Sequence, residues 1–211
     1  MSRWAKDLKI DISSYSKTLR LRGLLLISQL GVLCSAWFLA APLAAAPVAA
    51  DERIPIDLRR TTLVVRDLER SLHLYRDVLG LQPIYDHVIR TPREAPTDQE
   101  ADRSLRLVFL RANDDFVGVL GLMEYRKPRK SQPVSEMSFE PGTSVMVFNV
   151  ADLEQRWAAL SEVPGVEVLS PPSEISYPSY HGSGTLSVMV SVIRDPDGFV
   201  LELNQLLEVI R

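Results

Sequence analysis

Val65-Arg66-Asp67-Leu68-Glu69 returns 85 residues later as Val150-Ala151-Asp152-Leu153-Glu154. Each copy follows an apolar run and opens a helical pattern. A period this long exceeds a solenoid unit and points to a duplicated supersecondary module. Two copies of a sheet module build one shared cavity, so the repeat also says where a ligand would sit.

The flanks of the first copy read as strand, helix and strands. Thr61-Thr-Leu-Val-Val65 is rich in β-branched residues and predicts a strand. Asp67 is placed to cap the helix, its carboxylate accepting from the first free amides. Leu68, Leu72, Tyr75 and Leu79 then share one helical face, and Gly80 ends it. Leu81 to Ile89 predicts the next strand. Thr91 to Arg103, with two prolines, predicts an exposed loop. Leu105 to Leu110 and Phe116 to Met123 predict a strand pair.

The second copy repeats the order. Val145 to Val150 predicts a strand, and Leu153, Trp157 and Leu160 line a helix broken by Pro164-Gly165. Val166 to Leu169 is the next strand. A loop from Pro171 to Gly184 follows, holding Tyr177, Tyr180 and His181. Leu186 to Ile193 and Phe199 to Leu206 form a hairpin across Asp195-Pro196-Asp197-Gly198, where Pro presets φ and Gly supplies the positive φ. The expected fold is α+β: two βαβββ modules, residues 51–124 and 143–211, forming a cup-shaped mixed β-sheet with helices packed outside. Residues 125–142 are the linker, with Arg126, Lys127, Arg129 and Lys130 between prolines. They read as a solvated connector, or as a local anion-attracting rim.

Residues 1–50 differ from the rest. Six basic residues precede an apolar run from Leu24 to Ala40, and an Ala-rich stretch ends at Ala50. Those are the parts of a secretory signal peptide, with cleavage expected before Asp51. The expectation is export to the periplasm or medium, with only transient membrane targeting. An inner-membrane anchor through residues 24–40 is the alternative, since that run only just reaches across a bilayer core of about 30 Å. The sole cysteine, Cys34, lies in this segment, so no disulfide supports the remainder. Of 24 Lys+Arg and 27 Asp+Glu, six and two fall within residues 1–50, leaving 18 against 25 beyond. A net charge near −7 and the lack of a basic stripe exclude nucleic acid as the default partner.

Thr62-Leu-Val-Val-Arg-Asp-Leu-Glu-Arg-Ser-Leu72, Leu74-Tyr-Arg-Asp-Val-Leu-Gly-Leu81 and Asp195-Pro-Asp-Gly-Phe-Val-Leu-Glu-Leu203 resemble the vicinal oxygen chelate superfamily, which groups glyoxalases, bleomycin-resistance proteins and dioxygenases. The resemblance covers about residues 57–206. It implies paired modules rolled into a cup, with a divalent metal held by side chains of the first and last strands. It leaves the activity open, because the superfamily includes lyases, isomerases, dioxygenases and drug-binding proteins. The family's first-strand histidine lies seven residues before the helix-opening aspartate. Those positions are Arg60 and Val145 here. The last-strand glutamate is kept as Glu202, whereas the first module has Gly121. One ligand of four is present, and a transition metal normally takes three or more from the protein.

Period two places Arg60, Thr62, Asn149, Glu202 and Asn204 on one face among apolar neighbours. An apolar surface with a few convergent polar groups suits a small organic ligand. Arg60 is expected to replace the metal's charge and grip a carboxylate or enolate, with Glu202 as general base. The competing reading is a plain Arg60–Glu202 ion pair. Thr62, Asn149, Asn204 and the loop residues Tyr177, Tyr180 and His181 are the further substrate contacts expected, and Glu202 is the one candidate metal ligand. His73 reads as a partly exposed helix residue and His87 as a surface strand residue. The function expected is small-molecule binding without the usual metal centre. The alternative is a metal-dependent lyase, isomerase or dioxygenase with a displaced site. Exposed sheet edges leave a homodimer open.

Overall fold

A computed structural model describes residues 49–130, 139–179 and 184–210, with no side-chain description for residues 209 and 210. Residues 1–48 of the expected signal peptide or anchor, residues 131–138 of the linker, and Tyr180 and His181 lie outside the described residues. Among the described residues no helix is long and apolar enough to cross a membrane.

The first module runs β1 (Arg60–Val65), α1 (Leu68–Leu72), a π-helical turn (His73–Val78), β2 (Gln82–Thr91), β3 (Arg103–Arg111) and β4 (Val119–Lys127). The second runs β5 (Val145–Asn149), α2 (Leu153–Ser161), β6 (Glu167–Pro178), β7 (Thr185–Arg194) and β8 (Val200–Ile210). Both are βαβββ, and both sheets are mixed. Their orders are β1-β4-β3-β2 and β5-β8-β7-β6, with the first strand parallel to the last. Hydrogen bonding between strands stays within each module, so the strands form two four-stranded sheets.

Local chemistry explains the helices. Asp67 accepts from the Arg70 amide at 3.1 Å, the cap expected of it. Asp152 does not cap its helix: its carboxylate binds Arg156 Nε at 2.6 Å, and Gln205 Oε1 takes the Leu153 amide instead at 2.8 Å. The π-helical turn adds residues to its loop and rotates the face that follows. Leu74 is therefore buried along with Leu68, Leu72 and Tyr75. Gly80 leaves the helix at φ +82°, which a side chain would resist.

Alternation along the strands separates a covered face from an open one. Leu63, Val65, Val108, Leu110, Leu120 and Leu122 of the first sheet join Leu153, Leu160, Ile193, Leu201 and Leu203 of the second module in one apolar core with the helices. On the opposite face Val64 is 48% exposed and Val147 61% exposed.

Three boundaries differ from expectation. β4 continues to Lys127, into the expected linker, because Tyr125 and Lys127 still pair with Leu105 and Ser104. β6 runs on to Pro178 through Pro171-Pro172, where a loop was expected. It is an edge strand with bulges on either side of Ser170, and an edge tolerates residues without an amide hydrogen. The Thr91–Arg103 connection is not wholly exposed: Ala95 and Ala101 are buried.

Candidate functional site

The two stretches that carry the family resemblance bind each other. Asp195 Oδ1 accepts the amides of Asp197 and Phe199, both at 2.9 Å, which closes the β7–β8 turn over Gly198 at φ +94°. Asp195 Oδ2 accepts from the Tyr75 hydroxyl at 2.8 Å. Asp197 accepts from the Arg66 backbone amide at 3.0 Å, from Arg66 Nε at 2.7 Å and from Ser71 Oγ at 3.3 Å. Arg66 also donates to the Pro196 carbonyl. Burial pushes the Asp195 carboxyl above its ordinary value, opposed by the three hydrogen bonds it accepts. Burial also pushes the Tyr75 phenol well up, reinforced by the nearby Asp195 charge. These groups join the two modules.

On the first module's open face, register sets Thr62 beside Gly121, Gly121 beside Phe109 and Phe109 beside Tyr85. Arg60 lies across this row. Its Nε donates to Thr62 Oγ1 at 3.0 Å, and its guanidinium carbon stands 3.9 Å above the centre of the Phe109 ring. Phe109 stacks on Tyr85 at 4.7 Å, and Tyr85 meets the His87 ring at 4.6 Å. The missing side chain at Gly121 makes room for this. A Cβ there would stand 2.7 Å from Thr62 Oγ1 and 3.2 Å from Arg60 Cδ. The Arg60 stem and the Thr62 hydroxyl thus fill the place of the missing carboxylate. The terminal guanidinium nitrogens make no hydrogen bond among the described residues, which leaves a planar fork of donors over an aromatic floor.

On the second module, Glu202 is half-buried and its Oε1 accepts from Asn204 Nδ2 at 2.9 Å. Asn204 Oδ1 is buried without a hydrogen-bond partner among the described residues. Asn149 pairs with Asn204 in the sheet and is exposed. Arg60 and Glu202 form no ion pair among the described residues: each is held within its own module. The competing reading of a plain ion pair between them is corrected accordingly. Tyr177 lies on β6, at the far edge of the sheet, with β7 between it and β8.

The donors do not fit the family's metal. A guanidinium holds its protons at any accessible pH and cannot coordinate, and Gly121 and Val145 offer no donor atom. Glu202 and Asn204 supply two side chains on one strand, and Glu202 Oε1 already accepts from Asn204. No group of three or more His, Cys, Asp or Glu among the described residues is placed to hold a metal.

Sequence reading missed Phe109 and Tyr85 as part of this face. Strand parity with the buried Val108 and Leu110 would have found Phe109. His73 is half-exposed, its Nδ1 3.5 Å from Asp77 on the next turn, and His87 is exposed on the open face. Glu124, three residues past Gly121, has its carboxyl pushed up by burial.

The chain is similar to several solved structures. A glyoxalase family protein from Bacillus cereus is 14% identical, covering 76% of this chain and 100% of that one, with a TM-score of 0.54. A glyoxalase/dioxygenase from Nostoc punctiforme is 17% identical over 78% and 100%, with a TM-score of 0.46. A fosfomycin resistance protein from Mesorhizobium loti is 20% identical over 71% and 91%, with a TM-score of 0.42. A search of the curated proteins found no match. The model of the Glyoxalase/Bleomycin resistance protein/Dioxygenase superfamily matches residues 57–203, and the chain belongs to that superfamily.

Proposed function

We propose that this chain binds a small organic anion on the open face of its first module, without a metal, and that residues 1–50 direct it out of the cytoplasm. One observation carries the binding reading: at the position of the family's metal-binding histidine, Arg60 presents its guanidinium over Phe109 with its terminal nitrogens unengaged. A guanidinium recognises a planar carboxylate or enolate with two parallel hydrogen bonds. The Phe109–Tyr85 stack offers a flat surface for an aryl or conjugated body. Gly121 keeps the approach open. On the second module, Glu202 and the unpartnered Asn204 Oδ1 form an acceptor patch suited to a ligand's hydroxyl or amide hydrogen.

Benzoate and its neutral analogue benzamide test the reading by calorimetric titration of the wild type and R60M. Benzoate is expected to bind more tightly than benzamide. R60M should weaken benzoate about tenfold, the loss of one charge-assisted contact. Equal benzoate affinity in both proteins would refute it.

A further inference from the structure

We propose that the linker-side end of the same sheet face is a separate binding pocket for an amphipathic organic anion, a flat apolar body carrying one acidic group. A cavity of about 520 Å³ opens there. Its floor is Ile89, Leu105 and Tyr125, one residue from each of β2, β3 and β4, brought side by side by the register. Three cations stand around that floor: Arg103, Lys127 and Lys130. The chain turns over Pro128 after β4 and sets Lys130 Nζ 4.0 Å from the Tyr125 ring centre. Lys127 Nζ donates to the neutral Gln99 carbonyl at 2.6 Å, so it is held in place with its charge uncompensated.

Among the described residues no carboxylate lines this cavity. The nearby Asp98 is engaged elsewhere, by Arg90 at 2.8 Å and Arg126 at 3.0 Å. Arg103 makes no ion pair among the described residues. Three cations without a carboxylate partner among the described residues, in a chain of net charge −3, form a local reversal of sign, and an apolar-floored cavity focuses such a field on an anion. A second observation points the same way. Ser104 lines the cavity at 2% exposure, and its hydroxyl has no hydrogen-bond partner among the described residues. A buried hydroxyl left so is costly, and an anionic oxygen would accept its hydrogen.

The pocket is distinct from the Arg60 surface. Tyr125 lies four residues along β4 from Gly121, about 13 Å at strand spacing. The cavity volume suits a drug-sized molecule better than a small carboxylate. The proposal does not depend on the function proposed for Arg60.

The test uses the full-length chain and two dyes, 8-anilinonaphthalene-1-sulfonate and its uncharged counterpart N-phenyl-1-naphthylamine, read by fluorescence titration. The R103M/K127M variant should bind the sulfonate about tenfold more weakly, while the uncharged dye changes by less than about twofold. R103M alone, which removes no ion pair among the described residues, guards against misfolding and should show a smaller loss in the same direction. R76M, at an exposed cation paired with Asp77 and outside the pocket lining, should leave sulfonate affinity within about twofold. No sulfonate binding by the wild type, equal sulfonate affinity in wild type and both pocket variants, or a loss in R76M matching that in R103M/K127M would each overturn the proposal.

Discussion

Tyr75 donates its phenolic hydrogen to Asp195 Oδ2 at 2.8 Å, joining the first module's helix to the second module's hairpin across 120 residues. The tyrosine is wholly buried and Asp195 nearly so. Y75F removes the donor and leaves a buried carboxylate oxygen unpartnered, which should cost about 1–3 kcal/mol. Urea unfolding measures it. A loss below about 0.5 kcal/mol, the scale of an ordinary surface change, would mean the bond contributes little.

The same burial sets a pH dependence opposite to that of a typical ion-paired carboxylate. The folded state holds the Asp195 proton more tightly than the unfolded chain does. The associated stability is complete below the ordinary carboxylate value and is lost as pH rises through the higher folded value. D195N keeps an oxygen for the two turn amides and does not titrate. Wild-type minus D195N stability should therefore fall with rising pH across that window and then level off. A difference that grows with pH would reverse the assignment.

Arg66 and Asp197 form the other half of the clasp, the Asp197 side chain being only 6% exposed. R66M should cost about 1–3 kcal/mol, less than a fully buried pair because Arg66 itself is partly solvated. Adding D197N should cost less than the two single losses combined, with a coupling of about 1 kcal/mol. Simple additivity in denaturant melts would show that the two residues act independently.

Gly121 makes a steric prediction on the candidate site. G121A drives a methyl into the Thr62 hydroxyl and should cost about 1–3 kcal/mol. In a T62A background the closest of those contacts is gone, and the cost should drop by about half or more. An equal penalty in both backgrounds would place the crowding at Arg60.

The fold was legible because its signals are local. The Val-x-Asp-Leu-Glu repeat, the helical spacing from Leu68 to Tyr75 and the Asp-Pro-Asp-Gly turn each specify backbone within a few residues. Counting back from Asp67 located Arg60. The clasp was illegible because Asp195 and Asp197 read fully as turn formers, and nothing nearby names Tyr75 or Arg66 as their partners. β6 was cut short because Pro171-Pro172 signals a loop unless the strand is known to be an edge. The linker-side pocket was hidden for a related reason. Its floor draws on three strands, and two of its cations, Lys127 and Lys130, sit in a stretch whose composition reads as a connector.

The central claim is that a cation built into the chain stands at the position where the family resemblance implies a metal ligand. Metal content of the purified chain tests it most directly, measured by mass spectrometry as isolated and after incubation with zinc, nickel, manganese or ferrous iron followed by dialysis. The account predicts far less than one metal per chain throughout, with no difference between wild type and E202A. A stoichiometry near one per chain that E202A abolishes would contradict it and make Glu202 the anchor of a displaced metal centre.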